Sequence, residues 1–277
     1  MGFVKVGTEN STNIELHYED HGEGKPVILI HGYPLDGASW EKQTAALLQA
    51  GCRVIAYDRR GFGKSSQPTS GYNYDTFADD LRALITTLKL QDVAIAGFSM
   101  GGGEVARYIG KFGSAGVRKA AIVSGVSPYL LKASDNPEGL EKAMFDGIGA
   151  AVQKDRFAFF REFFGNFYNA DETLGKLISQ SAMDASWSVA AGCSATAAFE
   201  CVAAWYEDFR KDLECIDVPT LVMHGDADRI LPIAATGNRT AKLIKGAEYV
   251  VIKGAPHGML WTHADEVNKS LVKFLST

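Results

Sequence analysis

"GFSMGG", Gly97–Gly102, sets one serine between glycines on both arms of a bend. The apolar run "DVAIA" (Asp92–Ala96) leads into it, and "GEVARYIGKF" (Gly103–Phe112) leaves it with apolar residues at helical spacing. A strand that turns directly into a helix leaves no room for side chains two positions before and after the corner, which is where Gly97 and Gly101 stand. The corner residue, Ser99, is lifted off the strand end with its hydroxyl facing a ligand. Met100 then opens the helix with an N–H that no preceding turn can accept. G-x-S-x-G between a strand and a helix is therefore the layout of a nucleophile with an oxyanion donor beside it.

Outward from this corner the chain alternates. β-rich runs recur as "FVKV", "IELHYE", "PVILIHG", "CRVIAYD", "DVAIAGF", "VRKAAIVSG", "PTLVMHG" and "EYVVIKG". From Pro26 onward most are continuously apolar, as in strands covered on both faces. Amphipathic helical patterns separate them, so the sequence predicts a mostly parallel eight-stranded sheet with helices on both faces. The first two runs, joined by a short polar turn, predict an antiparallel hairpin at one edge. The alternation stops between about Val126 and Asp217, where the pattern is helical and rich in Phe, Trp and Tyr. So long a stretch is not a loop in a compact domain. We expect residues 1–125 and 218–277 to form the core and residues 126–217 a helical cap inserted over the carboxyl edge of the sheet.

A serine hydroxyl is a poor nucleophile near neutral pH and needs a base that is itself oriented by an acid. Of the six histidines, His17 and His21 lie in the edge hairpin, and His31 and His224 end strands as "HG", where packing is the simpler reading. His263 opens the last helix. His257, in the Gly/Pro loop "KGAPHGML" after the last strand, can reach over the sheet edge to Ser99 and is expected to be the base. For the acid, "HGDADRILP" offers Asp226 and Asp228. Asp226 directly follows the glycine and suits a turn-stabilising role, whereas Asp228 lies farther along the loop and is the expected partner of His257. A second oxyanion donor should come from "HGYPL", where Gly32 permits a close turn, Tyr33 supplies the N–H and Pro34 has none to compete. An ordinary strand-ending turn is the other reading of that segment.

Composition removes other classes. With 277 residues, 46% of them hydrophobic, the chain can bury a sizeable core; its net charge of −5 and its single short basic cluster, "DRRGFGK", give no footprint for nucleic acid. That cluster ends like a phosphate-binding loop, but the pattern requires glycine at position 58, where Asp58 stands. No apolar run approaches the roughly 20 residues that cross a bilayer, and the first residues lack a signal peptide's apolar core. Cys52, Cys193, Cys201 and Cys215 show neither a C-x-x-C pair nor zinc spacing. Reduced thiols in a cytoplasmic enzyme are expected, with one disulfide as the other option.

These motifs resemble one branch of the α/β-hydrolase superfamily, the cofactor-free haloperoxidases (perhydrolases), aryl esterases and related γ-lactamases. The resemblance spans essentially the whole chain and rests on "HGYPLDGASW", "YDRRGFGKSSQP", "YDTFADDL", "GFSMGGGEVARYIG", "IDVPTLVMHGDAD" and "GAPHGMLWTHADEVN". Within the branch, "DNPEG", "KDRFAFF", "NFYN" and "LWTHADEVN" are similar to the (−)-γ-lactamase type. The resemblance implies an α/β-hydrolase fold and a Ser99–His257–Asp228 triad, with Tyr33 and Met100 N–H groups forming the oxyanion hole. It implies no metal, haem or other cofactor, small ester or lactam substrates, and a homo-oligomer such as a trimer or a dimer of trimers. It also implies a preference for proline at position 34 in perhydrolases, where many plain esterases carry leucine. Pro34, Phe98 and Trp205 are expected to bind or tune substrate, and the cap rings Phe145, Phe157, Phe159, Phe160, Trp187 and Trp205 are candidates for either a pocket wall or the core of the cap. Carboxylate-armed relatives such as dehalogenases are excluded by serine at the corner. A fold that only binds its ligand is disfavoured by the complete triad.

Overall fold

The computed structural model describes residues 1–277. Two strands, β1 (Gly2–Glu9) and β2 (Thr12–His21), form the antiparallel edge hairpin that the sequence predicts. They are followed by β3 (Pro26–Ile30), helix α1 (Glu41–Gln49), β4 (Arg53–Tyr57), α2 (Tyr74–Thr87), β5 (Val93–Phe98), α3 (Met100–Phe112) and β6 (Val117–Val123). After a run of helices come β7 (Thr220–Gly225) and β8 (Glu248–Ile252). The eight strands lie in the order β1-β2-β4-β3-β5-β6-β7-β8, and every pairing from β4 to β8 is parallel. Strands β5 and β7 are buried at every residue, which explains why they read as unbroken apolar runs.

Between β6 and β7 lie α4 (Lys142–Phe167), the short α5 (Ala170–Thr173), α6 (Gln180–Ala191) and α7 (Ala195–Ala204), of which α5, α6 and α7 pack on α4; α8 (Arg210–Glu214) instead packs on α3. Arg107 on α3 donates to Asp212 on α8 at 2.9 Å. Helix α4 is broken at Asp155 (φ −162°, ψ 90°), whose side chain accepts from the Phe157 and Ala158 N–H groups and so caps the second half. The chain closes with α9 (Gly237–Leu243), α10 (Met259–Thr262) and α11 (Ala264–Leu275).

Helical periodicity sets which face is buried. On α2 the side chains of Tyr74, Phe77, Ala78, Leu81 and Leu84 turn inward, and on α11 those of Val267, Leu271 and Leu275 do. Asn73 caps α2 by accepting from the Thr76 N–H at 3.0 Å. All four cysteines are unpaired, three of them buried. No single helix is long and apolar enough to cross a membrane.

One carboxyl, Asp36 in the loop after β3, carries a pH-dependent cost. Burial, and secondly the neighbouring Asp58, push Asp36 up to about 6. A folded value above the unfolded one means that the chain is most stable below the ordinary Asp range and loses that contribution as pH rises towards 6. Asp36→Asn keeps an acceptor for the Ala38 N–H, which Asp36 now caps at 3.0 Å. It should therefore raise stability at pH 8 by about 1 kcal/mol, after discounting for partial solvent screening, and add nothing at pH 4. Thermal unfolding of both proteins across that range checks it.

Candidate active site

Strand β5 delivers Ser99 to the carboxyl edge of the sheet in a conformation that few non-glycine residues adopt, φ 55° and ψ −116°. The surroundings hold it there. The Ser99 N–H donates to the Val123 carbonyl at 2.8 Å, and the Ser99 carbonyl accepts from Gly102 at 2.9 Å. A Cβ on Gly97 would lie 2.1 Å from the Gly101 oxygen, and one on Gly101 would lie 2.3 Å from the Ile30 oxygen. The bend is therefore closed to any larger residue at either position.

His257 reaches Ser99 from the loop after β8. Its Nε2 is 2.9 Å from Ser99 Oγ, and its Nδ1 is 2.7 Å from Asp228 Oδ2. A carboxylate only accepts, so Nδ1 carries the hydrogen and Nε2 is free to accept from the serine. The loop is pinned at Gly258, whose N–H donates to the Phe167 carbonyl at 2.7 Å. The imidazole lies between Phe98 and Phe167, each 5.0 Å from it between ring centroids, and is fully buried.

Asp228 is held as firmly. Its Oδ1 accepts from the Ile230 and Leu231 N–H groups at 2.9 and 2.8 Å. Burial opposes its ionised form, but attraction to His257 and hydrogen bonds from His224 and His257 outweigh it and hold the carboxyl well below its usual range. Asp226 is exposed and accepts from the Gly254 N–H at 2.5 Å. It joins the loop after β7 to the loop after β8 and does not touch the imidazole.

The segment after β3 packs against the serine. A Cβ on Gly32 would fall 2.8 Å from the Ser99 Cβ, so only glycine lets this backbone come so near. The Tyr33 N–H makes no backbone hydrogen bond, and Met100 is the first residue of α3. Both donors are thus available to an oxygen beside Ser99. His31, which the sequence suggests as a packing residue, has a hydrogen-bonding role instead. Its Nδ1 donates to the Gly32 carbonyl at 2.8 Å and its Nε2 accepts from the Arg59 N–H at 2.9 Å. Arg59 also donates to the His31 carbonyl and pairs with buried Glu104 on α3 at 2.8 Å. One buried network therefore ties the Tyr33 segment to the helix that carries Met100. The Arg59 backbone N–H directly needs a neutral Nε2, and burial, then the Arg59 charge, lower the His31 pKa far enough to keep it so.

Ser99 opens on a cavity of about 380 Å³. Its walls include Tyr33, Phe145, Phe159, Phe163, Trp205 and Leu231. Glu162, Asn166 and Arg229 supply its polar lining, and the Arg229 charge is paired with Asp171 and Glu172 on α5. The Tyr33 ring meets Trp205 edge to face at 4.8 Å, and its hydroxyl donates to the Ala198 carbonyl. Of the six cap rings, Phe145, Phe159 and Trp205 line the cavity, Phe160 is core, and Phe157 and Trp187 lie away from it. Phe163 was not anticipated, because helical periodicity shows that α4 has an apolar face but not what it faces.

Two of the residues expected to bind or tune substrate are not part of the cavity wall. Phe98 does not line it: side chains alternate along a strand, so the residue before Ser99 points under the imidazole and packs on His257 and Phe167. Pro34 does not line it either, being buried behind Tyr33, to which it is joined by a cis bond. Neither side chain is in the lining of this cavity, and a tuning role for them would run through His257 and Tyr33.

Comparison with known proteins agrees with this fold. A profile of the alpha/beta hydrolase fold matches residues 25–264. A Synechocystis sp. protein named provisionally as a non-heme chloroperoxidase is 57% identical over 99% of this chain and 100% of its own. A bifunctional esterase/perhydrolase of Acinetobacter calcoaceticus is 34% identical over 99% of each chain. The crystal structure of a bromoperoxidase from Bacillus anthracis superposes with a TM-score of 0.95 at 48% identity, covering 100% of this chain and 99% of that one. With its mostly parallel sheet, its serine at the strand–helix corner and these relatives, the chain belongs to the α/β-hydrolase family, alongside the non-heme haloperoxidases.

Proposed function

We propose that the chain is a serine esterase acting on small, largely apolar carboxylic esters, with perhydrolysis as a second outcome of the same acyl-enzyme. The observation that carries this reading is the unbroken hydrogen-bonded line from Ser99 through His257 to Asp228, opening on an apolar cavity. Ser99 Oγ attacks the ester carbonyl while His257 Nε2 takes its proton. Asp228 stabilises the imidazolium, and the Tyr33 and Met100 N–H groups hold the oxyanion. The alcohol leaves with the proton from His257. Water, deprotonated by the same nitrogen, then releases the acid. Hydrogen peroxide in place of water would release a peracid, which can oxidise halide. The esterase/perhydrolase named among the relatives supports both outcomes. Residues 126–217 serve in this reading as the cap that shapes the acyl pocket, with α8 braced on the core. Unpaired, buried thiols suit a reducing, cytoplasmic setting.

The test is a rate comparison of short p-nitrophenyl esters, a bicyclic γ-lactam, and acetate plus peroxide with a halogenation reporter. Ester turnover abolished in Ser99→Ala supports the reading, and no ester turnover by the wild-type chain overturns it. The lactam arm decides whether amide bonds are also substrates.

Pro34 bears on the balance between the two outcomes. Proline fixes its own φ and restricts the residue before it, so it governs where the Tyr33 carbonyl points. A carbonyl facing the acyl carbon would accept a hydrogen bond from incoming peroxide. A preference of about 1.4 kcal/mol over water would change partitioning tenfold. Pro34→Leu should therefore lower perhydrolysis about tenfold more than hydrolysis of an ester with the same acyl group. An equal change in both rates would leave Pro34 a turn residue only.

A further inference from the structure

His224 is the penultimate residue of β7 and is fully buried, yet all its hydrogen-bonding contacts lie on one edge of its ring. Nε2 is 2.8 Å from the Leu231 carbonyl and 3.2 Å from Asp228 Oδ2, the oxygen that also receives His257. Thr236 Oγ1 lies farther away, at 3.4 Å, and donates to the Pro232 carbonyl. Nδ1 has no hydrogen-bonding partner. Because the Leu231 carbonyl can only accept, Nε2 carries a hydrogen directed at it, with the Asp228 carboxylate close beside that bond. An unpartnered buried nitrogen is costly, so an apolar residue would fill this volume more cheaply if packing were all that was needed.

The contacts close a ring. Leu231 N–H donates to Asp228 Oδ1 at 2.8 Å, while the carbonyl of the same residue accepts from His224. Asp228 thereby accepts two backbone donors on one oxygen and the His257 hydrogen on the other, which also lies 3.2 Å from His224 Nε2, and these contacts together restrain rotation of the carboxylate. We propose that His224 is a positioning residue: it fixes the Asp228 carboxylate, and through it the orientation of His257, without itself touching the substrate. This rests on the Ser99–His257–Asp228 reading above.

The test uses two amides that differ only in reach. The side-chain nitrogen of glutamine falls near the place of the histidine Nε2, whereas that of asparagine stops near Nδ1. With the same p-nitrophenyl ester, His224→Asn should lower kcat about 10–100-fold, the size of effect expected from misplacing a catalytic group. KM should stay within about twofold, and His224→Gln should keep kcat within about threefold of wild type. Equal kcat in the two variants would overturn the proposal. So would a rise in KM with kcat unchanged, since Ile230 and Leu231 line the cavity and a merely structural role would act through them. The wild-type chain gives an independent check by ¹⁵N NMR of labelled histidine. The His224 ring must carry hydrogen on Nε2, and a ring protonated on Nδ1 alone would overturn the proposal. Ser99→Ala run alongside separates failures: if it stays active, the underlying triad reading is wrong, and if it is inactive while the amides behave alike, only the role of His224 is wrong.

Discussion

Ser99→Ala is expected to lower kcat for ester hydrolysis by about 10⁴-fold or more, the scale seen when a triad nucleophile is removed, while leaving the fold intact. Alanine has the same Cβ that already sits at φ 55°, so the backbone cost of the corner does not change. The hydroxyl makes one hydrogen bond, to His257 Nε2 at 2.9 Å, and a single neutral bond is worth about 1 kcal/mol. Thermal unfolding should shift only slightly while turnover disappears. Near-normal turnover in a well-folded alanine variant would remove the acyl-enzyme mechanism altogether.

The second large effect separates two aspartates that lie two residues apart. In Asp228→Asn, the Ile230 and Leu231 N–H groups, which now point at Oδ1, should hold the amide oxygen there. That turns the NH₂ group towards His257. The imidazole must then accept on Nδ1, which puts the hydrogen on Nε2, facing Ser99, so the base is lost. A fall in kcat of about 10⁴-fold is expected from the wrong tautomer. The same NH₂ would also face the Nε2–H of His224, 3.2 Å from Oδ2 in the native site, so some stability should be lost as well. Asp226→Asn loses at most part of the acceptor strength of the Gly254 contact at an exposed position. It should keep kcat within a few-fold and lower stability by no more than about 1 kcal/mol. Steady-state kinetics and thermal unfolding on the purified pair decide the matter, and the opposite ranking would exchange the two roles.

What the amino-acid sequence determined alone was everything with a short-range cause. The alternation of apolar runs and amphipathic helices determined the sheet and its edge hairpin, because burial on two faces or one leaves a period in the residues. The two glycines around Ser99 marked the corner, because local crowding there admits nothing larger. His257 and Asp228 could be singled out by their places in loops after strands, since such loops all open at the same edge of a parallel sheet. Only the tertiary structure decided which faces of helices α4 and α6 look into the cavity: Phe163 lines it, while Phe157 and Trp187 do not. It alone turned Phe98 under the imidazole. It also gave His31 and His224, which read alike as "HG" strand ends, two different hydrogen-bonding tasks. The reason is physical: periodicity fixes that a side chain is buried, but its partners depend on how the loop after its strand folds back (Leu231 and Asp228 for His224) or on a neighbouring strand's loop (Arg59 for His31), and those distances exist only once the sheet is assembled.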